Sequence, residues 1–446
     1  MKPIAILCRP DWQQHIRENA YQADVLSDPV QEYWVEALPQ PFAIQFTLQE
    51  ETAIAQATES LWAMGIEFLD WFFTDRDSGD VDRRLAQLQI SPEYWQPIKN
   101  SWDRTEPVED LSLHTRFDLA VTAEGAIKLL EINGETPLLG AETIYQWNWY
   151  VDYMQNHQQS ALPLPSDASQ FNEFWEQIAT QWRRIVAAYN LEQWGISFLV
   201  DENLEEDLEM AMQLIQILID DVDPNIYTQI VYLRGLKDDR GREIQQGLGL
   251  DEEGYFVDHA NDRIPVLWKM YDWSDLQNDM ANDGSTQVFA DRLETGEVKI
   301  IEPLWKQVLS NKGALAMMWE QFGDSDYGEY LLPTYFDNAT EVDATKLLFD
   351  MHVLKPLLGF EGTGISIESG YGALEQKASF GYGSEGFIIQ EYIELPQAFG
   401  YHYVVGSWAI DGVAAGVIIR GDTSRITGRH CLIIPHIVSN DGCIPD

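Results

Sequence analysis

Two apolar runs joined by a turn, RFDLAV and AIKLLEIN between Arg116 and Asn133, restrict the fold more than any other stretch, because each carries charge where a core strand carries Val or Leu. Side chains of a strand alternate between its faces, so the pairing decides whether these charges scatter or meet. With Glu124-Gly125 as a two-residue turn, Ala123 pairs with Ala126, Asp118 lies opposite Glu131 and Arg116 opposite Asn133. All four side chains then share one face. A three-residue loop slips this register by one unless a bulge restores it. Two carboxylates and an amide oxygen on one face form an all-oxygen site suited to magnesium, which keeps some waters and bridges to phosphate. Arg116 beside them is placed to hold a phosphate or a carboxylate. The same four residues also read as a salt-bridge cluster on a half-solvated sheet.

The rest of the chain supplies a setting. At 446 residues with 45% hydrophobic content it is long enough for two or three lobes around a large core. The first hundred residues are mostly helical in pattern, as in Glu51 to Phe73. From Arg116 strands and helices alternate: ISFLVD ending at Asp201, a helix from Glu205, DRIPVLWKMY around Lys269, EVKIIEPLW ending at Trp305, and a helix from about Lys312 to Phe322. GFIIQEYIELP, a hairpin on the Asp411-Gly412 turn and CLIIPHIV follow. No internal repeat interrupts the pattern, and the expected class is α+β.

Charge and cysteines narrow the partners. Lys+Arg number 28 against 73 Asp+Glu, a formal net charge of −45, so nucleic acid and anionic membrane are poor partners. Cys8, Cys431 and Cys443 lack the spacing of a zinc site and are too few for a disulfide scaffold. With no signal-like N-terminus and no run of 18 apolar residues, the expected location is the cytoplasm.

Three further stretches offer contacts for phosphate. Ser310 or Asn311 is a good helix N-cap, which places Lys312 in a first turn where the helix dipole disfavours a cation unless an anion shares the site. A misplaced surface lysine would look the same. Lys355 precedes a proline and is extended, and Gly359, Gly362 and Gly364 follow in a loop that can bring backbone N–H groups close to phosphate or serve as an ordinary flexible turn. Arg420 ends an apolar strand, where an arginine is usually just exposed, and FIIQEY runs from a buried strand into polar residues, as a chain does when it offers backbone hydrogen bonds to an adenine edge and as many other strand exits do.

In this order RFD, LLEIN, IEPLWKQVLSNK, VLKPLLGFEG, IIQEYIELP, GSWAIDGVAAG and IIRGD, between about residues 110 and 422, resemble the synthetase portion of the glutathionylspermidine synthase family, ligases of the ATP-grasp fold. The resemblance implies an N-terminal preATP-grasp-like domain over 1–110 and a ligase domain over 111–446, with a mobile lid at about 312–390. It implies that Asp118, Glu131 and Asn133 hold the magnesium of MgATP and that Arg116 contacts the transferred phosphate or the acid. Lys312 and Lys355 would bind ATP phosphates, Gly359, Gly362 and Gly364 would cover them, and Gln390, Glu391, Tyr392 and Ile393 would bind adenine. Arg420 would stabilise acyl-phosphate formation. Thr136, Glu205 and Glu206 fall where the family contacts a peptide such as glutathione or a polyamine such as spermidine. Read alone, the two glutamates are first-turn acids that complement a helix dipole. Two departures bear on the acid substrate: Glu135 stands where the family has Asp, and Met270 replaces a polar contact. The amidase domain of bifunctional members is not recognised in the chain, so no hydrolysis of the conjugate is expected.

Overall fold

The charged hairpin forms as the pairing requires, but its loop is the longer of the two. In the computed structural model, which describes residues 1–19, 33–106, 109–237, 240–337 and 350–440, strands Thr115–Val121 and Ile127–Asn133 pair with Arg116 opposite Asn133 and Asp118 opposite Glu131. Thr122, not Ala123, pairs with Ala126: its N–H donates to the Ala126 carbonyl at 2.8 Å, leaving a loop of Ala123, Glu124 and Gly125. A two-residue turn of the favoured type needs positive φ at both central positions, which Glu resists; here only Gly125 takes it, at 86°. The resulting slip of one residue is cancelled at Leu130, where the register shifts beyond Asp118.

This hairpin is one edge of an antiparallel central sheet. Thr115–Val121 pairs with Tyr401–Ile410, which pairs with Val413–Asp422, which pairs with Leu432–Ile434. Asp411 and Gly412 make the turn of the long hairpin with φ of 50° and 84°, as expected of Asp-Gly. Helix Leu48–Phe72 covers one face. Thr47 accepts from the Glu50 N–H and Glu50 returns a bond to the Thr47 N–H, a capping box that starts the helix, and buried Thr58 meets Ser407 of the sheet at 2.6 Å.

The N-terminal hundred residues also hold strands that their helical pattern hid. Lys2–Ala5 pairs antiparallel with Phe42–Phe46, which pairs in parallel with His436–Val438. Pro435, which has no N–H to give a ladder, divides CLIIPHIV between this sheet and the central one. A parallel sheet in the order Lys299–Ile301, Val266–Lys269, Ile196–Val200, Thr228–Tyr232 stands beside the central sheet; its two inner strands are buried along their whole length, as cover on both faces demands, and its edge strands only in part. The expected strand from Glu297 to Trp305 contracts to Lys299–Ile301 because Glu302 turns inward, 1% exposed, to serve other backbone groups. Above the hairpin lies a five-stranded antiparallel roof ordered Thr334–Phe336, Phe387–Glu391, Met351–Pro356, Ser366–Ser369, Gly372–Gln376. The architecture is α+β, as expected. Cys8 and Cys431 are free thiols, and Cys443 lies outside the described residues.

Candidate active site

Between the hairpin and the roof opens a cavity of about 580 Å³. Its floor follows from register: Asp118 pairs with Gly406 and Arg116 with Trp408, while Val404 pairs with Arg420, so alternate positions bring Arg116, Asp118 and Arg420 to one face. Gly406 matters here. A Cβ at that position would sit 2.8 Å from the Arg116 Cδ, so only glycine lets the arginine lie across the sheet toward Asp118.

Asp118 is the centre of the floor. Arg116 donates Nε–H to its Oδ1 at 2.9 Å, and Arg420 and the Asn133 amide reach its Oδ2 at 2.5 and 3.1 Å. Burial alone would raise its pKa, but the two guanidinium groups overcome that and hold it at about 2, so it is ionised at any working pH. Glu131 accepts a contact from the Lys312 ammonium at 2.8 Å. The bulge at Leu130 turns its carbonyl toward the roof, where the Lys355 ammonium donates to it at 2.8 Å and to Gln390 Oε1 at 2.7 Å. Burial lowers the Lys355 pKa, partly offset by Glu131, to about 8.

Lys312 does not occupy the first turn of its helix. The helix is Gly313–Phe322 with Lys312 at the cap position, and Asn311 accepts from the Gly313 N–H at 2.9 Å. Asn311 therefore satisfies the helix start from one residue further out, and Lys312 is free to donate to the Gly359 carbonyl at 2.6 Å as well as to meet Glu131. Gly362, at φ 74°, packs where a Cβ would meet the Thr427 carbonyl at 2.6 Å, which ties the glycine-rich loop to the segment after Arg420.

Of the residues singled out from sequence, Arg116, Asp118, Glu131, Asn133, Thr136, Glu206, Lys355, Gly362, Gln390, Glu391, Tyr392, Ile393 and Arg420 line the cavity. Lys312 and Gly359 border it through their contacts, whereas Gly364 and Glu205 are not part of its wall. The end under Gln390 to Ile393 is apolar, with Leu130, Val353, Ile367 and Val404. The opposite end is acidic. Helix Glu205–Asp221 presents Glu206 and Asp207 there, joined by Glu142, Asp201, Asp272 and Asp275. Burial and the neighbouring Asp201 and Glu206 push Asp207 up to about 8, and burial with Asp272 and Asp279 pushes Asp275 up to about 6. Arg234 pairs with Asp201 at 3.2 Å and Arg429 with Glu206 at 3.6 Å. Sequence reasoning missed both arginines and most of these acids, since they come from four separate segments; only the EED run opening the helix hinted at them.

The donor set fits a hard divalent cation: Glu131 and Asn133 bring oxygen donors to the rim of the floor, and Asp118 adds a fixed negative charge. Among the described residues no group of three or more His, Cys, Asp or Glu side chains is placed to hold a metal.

An antiparallel floor bearing Arg, Asp, Glu and Asn, under an antiparallel roof that contributes lysine, is in keeping with an ATP-grasp ligase. The chain belongs to the glutathionylspermidine synthase family, whose model, described as glutathionylspermidine synthase preATP-grasp, matches residues 4–439. It is 29% identical to a Haemophilus influenzae protein provisionally named acid–amine ligase, over 96% of this chain and 97% of that protein. It is 23% identical to the trypanothione synthetase of Crithidia fasciculata, over 82% of this chain and 53% of the other. The bifunctional glutathionylspermidine synthetase/amidase of Escherichia coli is also 23% identical, over 92% of this chain and 62% of the other. The chain thus spans less than two thirds of the length of those two relatives.

Proposed function

We propose that the chain joins the carboxylate of a glutathione-like peptide to an amine of the polyamine class, such as spermidine, at the expense of ATP. The observation that carries this reading is the polarity of one cavity: a cationic floor and roof lead to an acidic end. Lys355 and Lys312 neutralise triphosphate charge, Glu131 and Asn133 with Asp118 provide for the Mg²⁺ that accompanies ATP, and the apolar end below Gln390 to Ile393 accepts adenine. The ion when bound offsets charge on the transferred phosphoryl group. Arg116 and Arg420, fixed by the buried Asp118, present N–H donors where that charge develops, and their rigidity is what makes them effective. The substrate carboxylate attacks the γ-phosphorus, ADP leaves, and the amine displaces phosphate from the acyl phosphate. Glu206 and the acids around it attract the ammonium form of the amine and keep its reacting end near the acyl carbon. Local cations are needed because both ATP and a peptide acid are repelled by a net charge of −45.

The same chemistry on another acid and amine is a second reading. It is favoured by Met270, an apolar group in the cavity wall, and by Arg234 and Arg429, which already occupy Asp201 and Glu206.

Hydroxylamine intercepts acyl phosphates, so the protein with ATP, Mg²⁺ and its acid, but without amine, accumulates hydroxamate. Glu131→Ala lowers that rate about a hundredfold or more while the protein stays folded. Failure to form hydroxamate from any small peptide acid would refute the reading, and ADP release across a panel of polyamines separates it from the second one.

A further inference from the structure

Beneath the floor lies a second set of charges that the chemistry above does not use. Lys306 and Glu302 are 0% and 1% exposed and pair at 2.9 Å. The Lys306 ammonium also donates to the His114 carbonyl and to the Thr115 hydroxyl, each at 2.7 Å. Glu302 Oε1 accepts the backbone N–H of Leu113 and of His114, each at 2.9 Å. Apart from the ion pair itself, each of these bonds ends on the three residues that precede Arg116.

The same segment grips the other strand of the hairpin. Four residues past Lys306, the Ser310 hydroxyl accepts the Gly134 N–H at 3.2 Å, one residue after Asn133. A Cβ on Gly134 would lie 2.9 Å from that hydroxyl, so the contact is made possible by glycine. Two residues further, Lys312 reaches Glu131. Residues 302–312 therefore clamp both strands of the hairpin at the ends where they carry the floor residues. A buried ion pair of this kind contributes little net stability compared with an apolar pair of the same volume, since desolvation of both charges offsets their attraction. What such a pair does well is fix geometry, because a displaced charge would be buried without a partner.

We propose that Lys306 is a positioning residue for the ligase reaction: with Glu302 it sets the register between residues 302–312 and the hairpin, and through it the spacing at which Arg116, Glu131 and Lys312 meet a triphosphate. The inference rests on the nucleotide reading above. It assigns a role to two residues that touch neither nucleotide nor acid.

The test compares stability with nucleotide binding. Lys306→Met alone deprives the buried Glu302 of its ammonium partner, leaving it the His114 ring at 3.1 Å and the Leu113 and His114 N–H groups, and is expected to melt below the parent. Glu302→Gln combined with Lys306→Met removes both charges while the amide still accepts the Leu113 and His114 N–H groups, so its melting temperature returns close to the parent's. Its MgATP dissociation constant, read by calorimetry, stays raised about tenfold, the size of effect seen when a supporting partner of a bound ion is removed, and the Michaelis constant for the amine is unchanged. Thr115→Val deletes one of the ammonium contacts without exposing a buried charge; it melts like the parent and weakens MgATP severalfold. If the double variant binds MgATP as the parent does, the pair is merely structural and the inference is overturned. Should the double variant fail to fold, Thr115→Val decides, and unchanged MgATP binding there overturns the inference equally. A parent that binds no MgATP defeats the ligase reading and this inference together, whereas a parent that binds it and variants that match it defeat this inference alone.

Discussion

Single residues set the charge state of the site. Asp118 is held ionised by Arg116 and Arg420, so it is a fixed charge and takes no part in proton transfer at working pH. Lys355 is different. Buried among the roof strands, its ammonium titrates near 8 in the nucleotide-free protein. The protonated form attracts a triphosphate and the neutral form does not, so kcat/KM for ATP falls as pH rises through about 8, approaching tenfold per pH unit. Lys355→Arg, which stays charged, lowers activity at neutral pH through altered geometry but flattens that alkaline limb. A limb that survives in the arginine variant would assign the titration to another group. The same shift acts on stability with a definite sign. Between about 8 and 10.5 the unfolded chain holds a proton that the folded chain has lost, so this lysine makes stability rise with pH across that window.

At the scale of elements, the roof and its glycine-rich loop are the part expected to move. Gly359, Gly362 and Gly364 all stand at positive φ, 115°, 74° and 70°, which glycine adopts without strain, and Tyr371 and Phe380 on the same lobe are 103% and 86% exposed. Lys312 and Lys355 are the fasteners between roof and floor, bonded to Gly359 and to Leu130. If this loop covers a triphosphate it must open to release ADP, so residues 359–385 are expected to exchange amide hydrogens rapidly in the free protein and to gain protection of roughly tenfold or more with MgATP. The central strand Tyr401–Ile410 should exchange slowly in both states. Hydrogen exchange followed by mass spectrometry reads both, and equal exchange of 359–385 with and without MgATP would place the moving part elsewhere. The 302–312 segment belongs with the floor in this comparison and should not change.

For the whole molecule, the imbalance of 73 acids over 28 basic residues is a matter of stability as much as of partners. Self-repulsion of a charge of −45 opposes the compact state, and salt screens it over a Debye length of about 10 Å at 0.1 M. The melting temperature is therefore expected to rise with NaCl, by roughly a few degrees between 0.05 and 0.5 M; a flat or falling curve would mean that local ion pairs outweigh the global field. Among the described residues no helix is long and apolar enough to cross a membrane. What the sequence determined by itself was local and periodic. The Asp411-Gly412 hairpin, the helices at 48–72 and 205–221 and the pairing of Asp118 with Glu131 depend on near neighbours and alternation, and the bulge at Leu130 restored the face that a longer loop would have lost. Only the tertiary structure decided the rest. It joined Arg420 to Asp118 across 302 residues of chain, paired His436–Val438 with a strand near the N-terminus, gathered acids from four segments at one end of the cavity, and buried Lys306 under Arg116. None of these leaves a periodic trace, because an ion pair or a parallel strand contact is fixed by where distant segments are packed and not by the residues beside it in the chain.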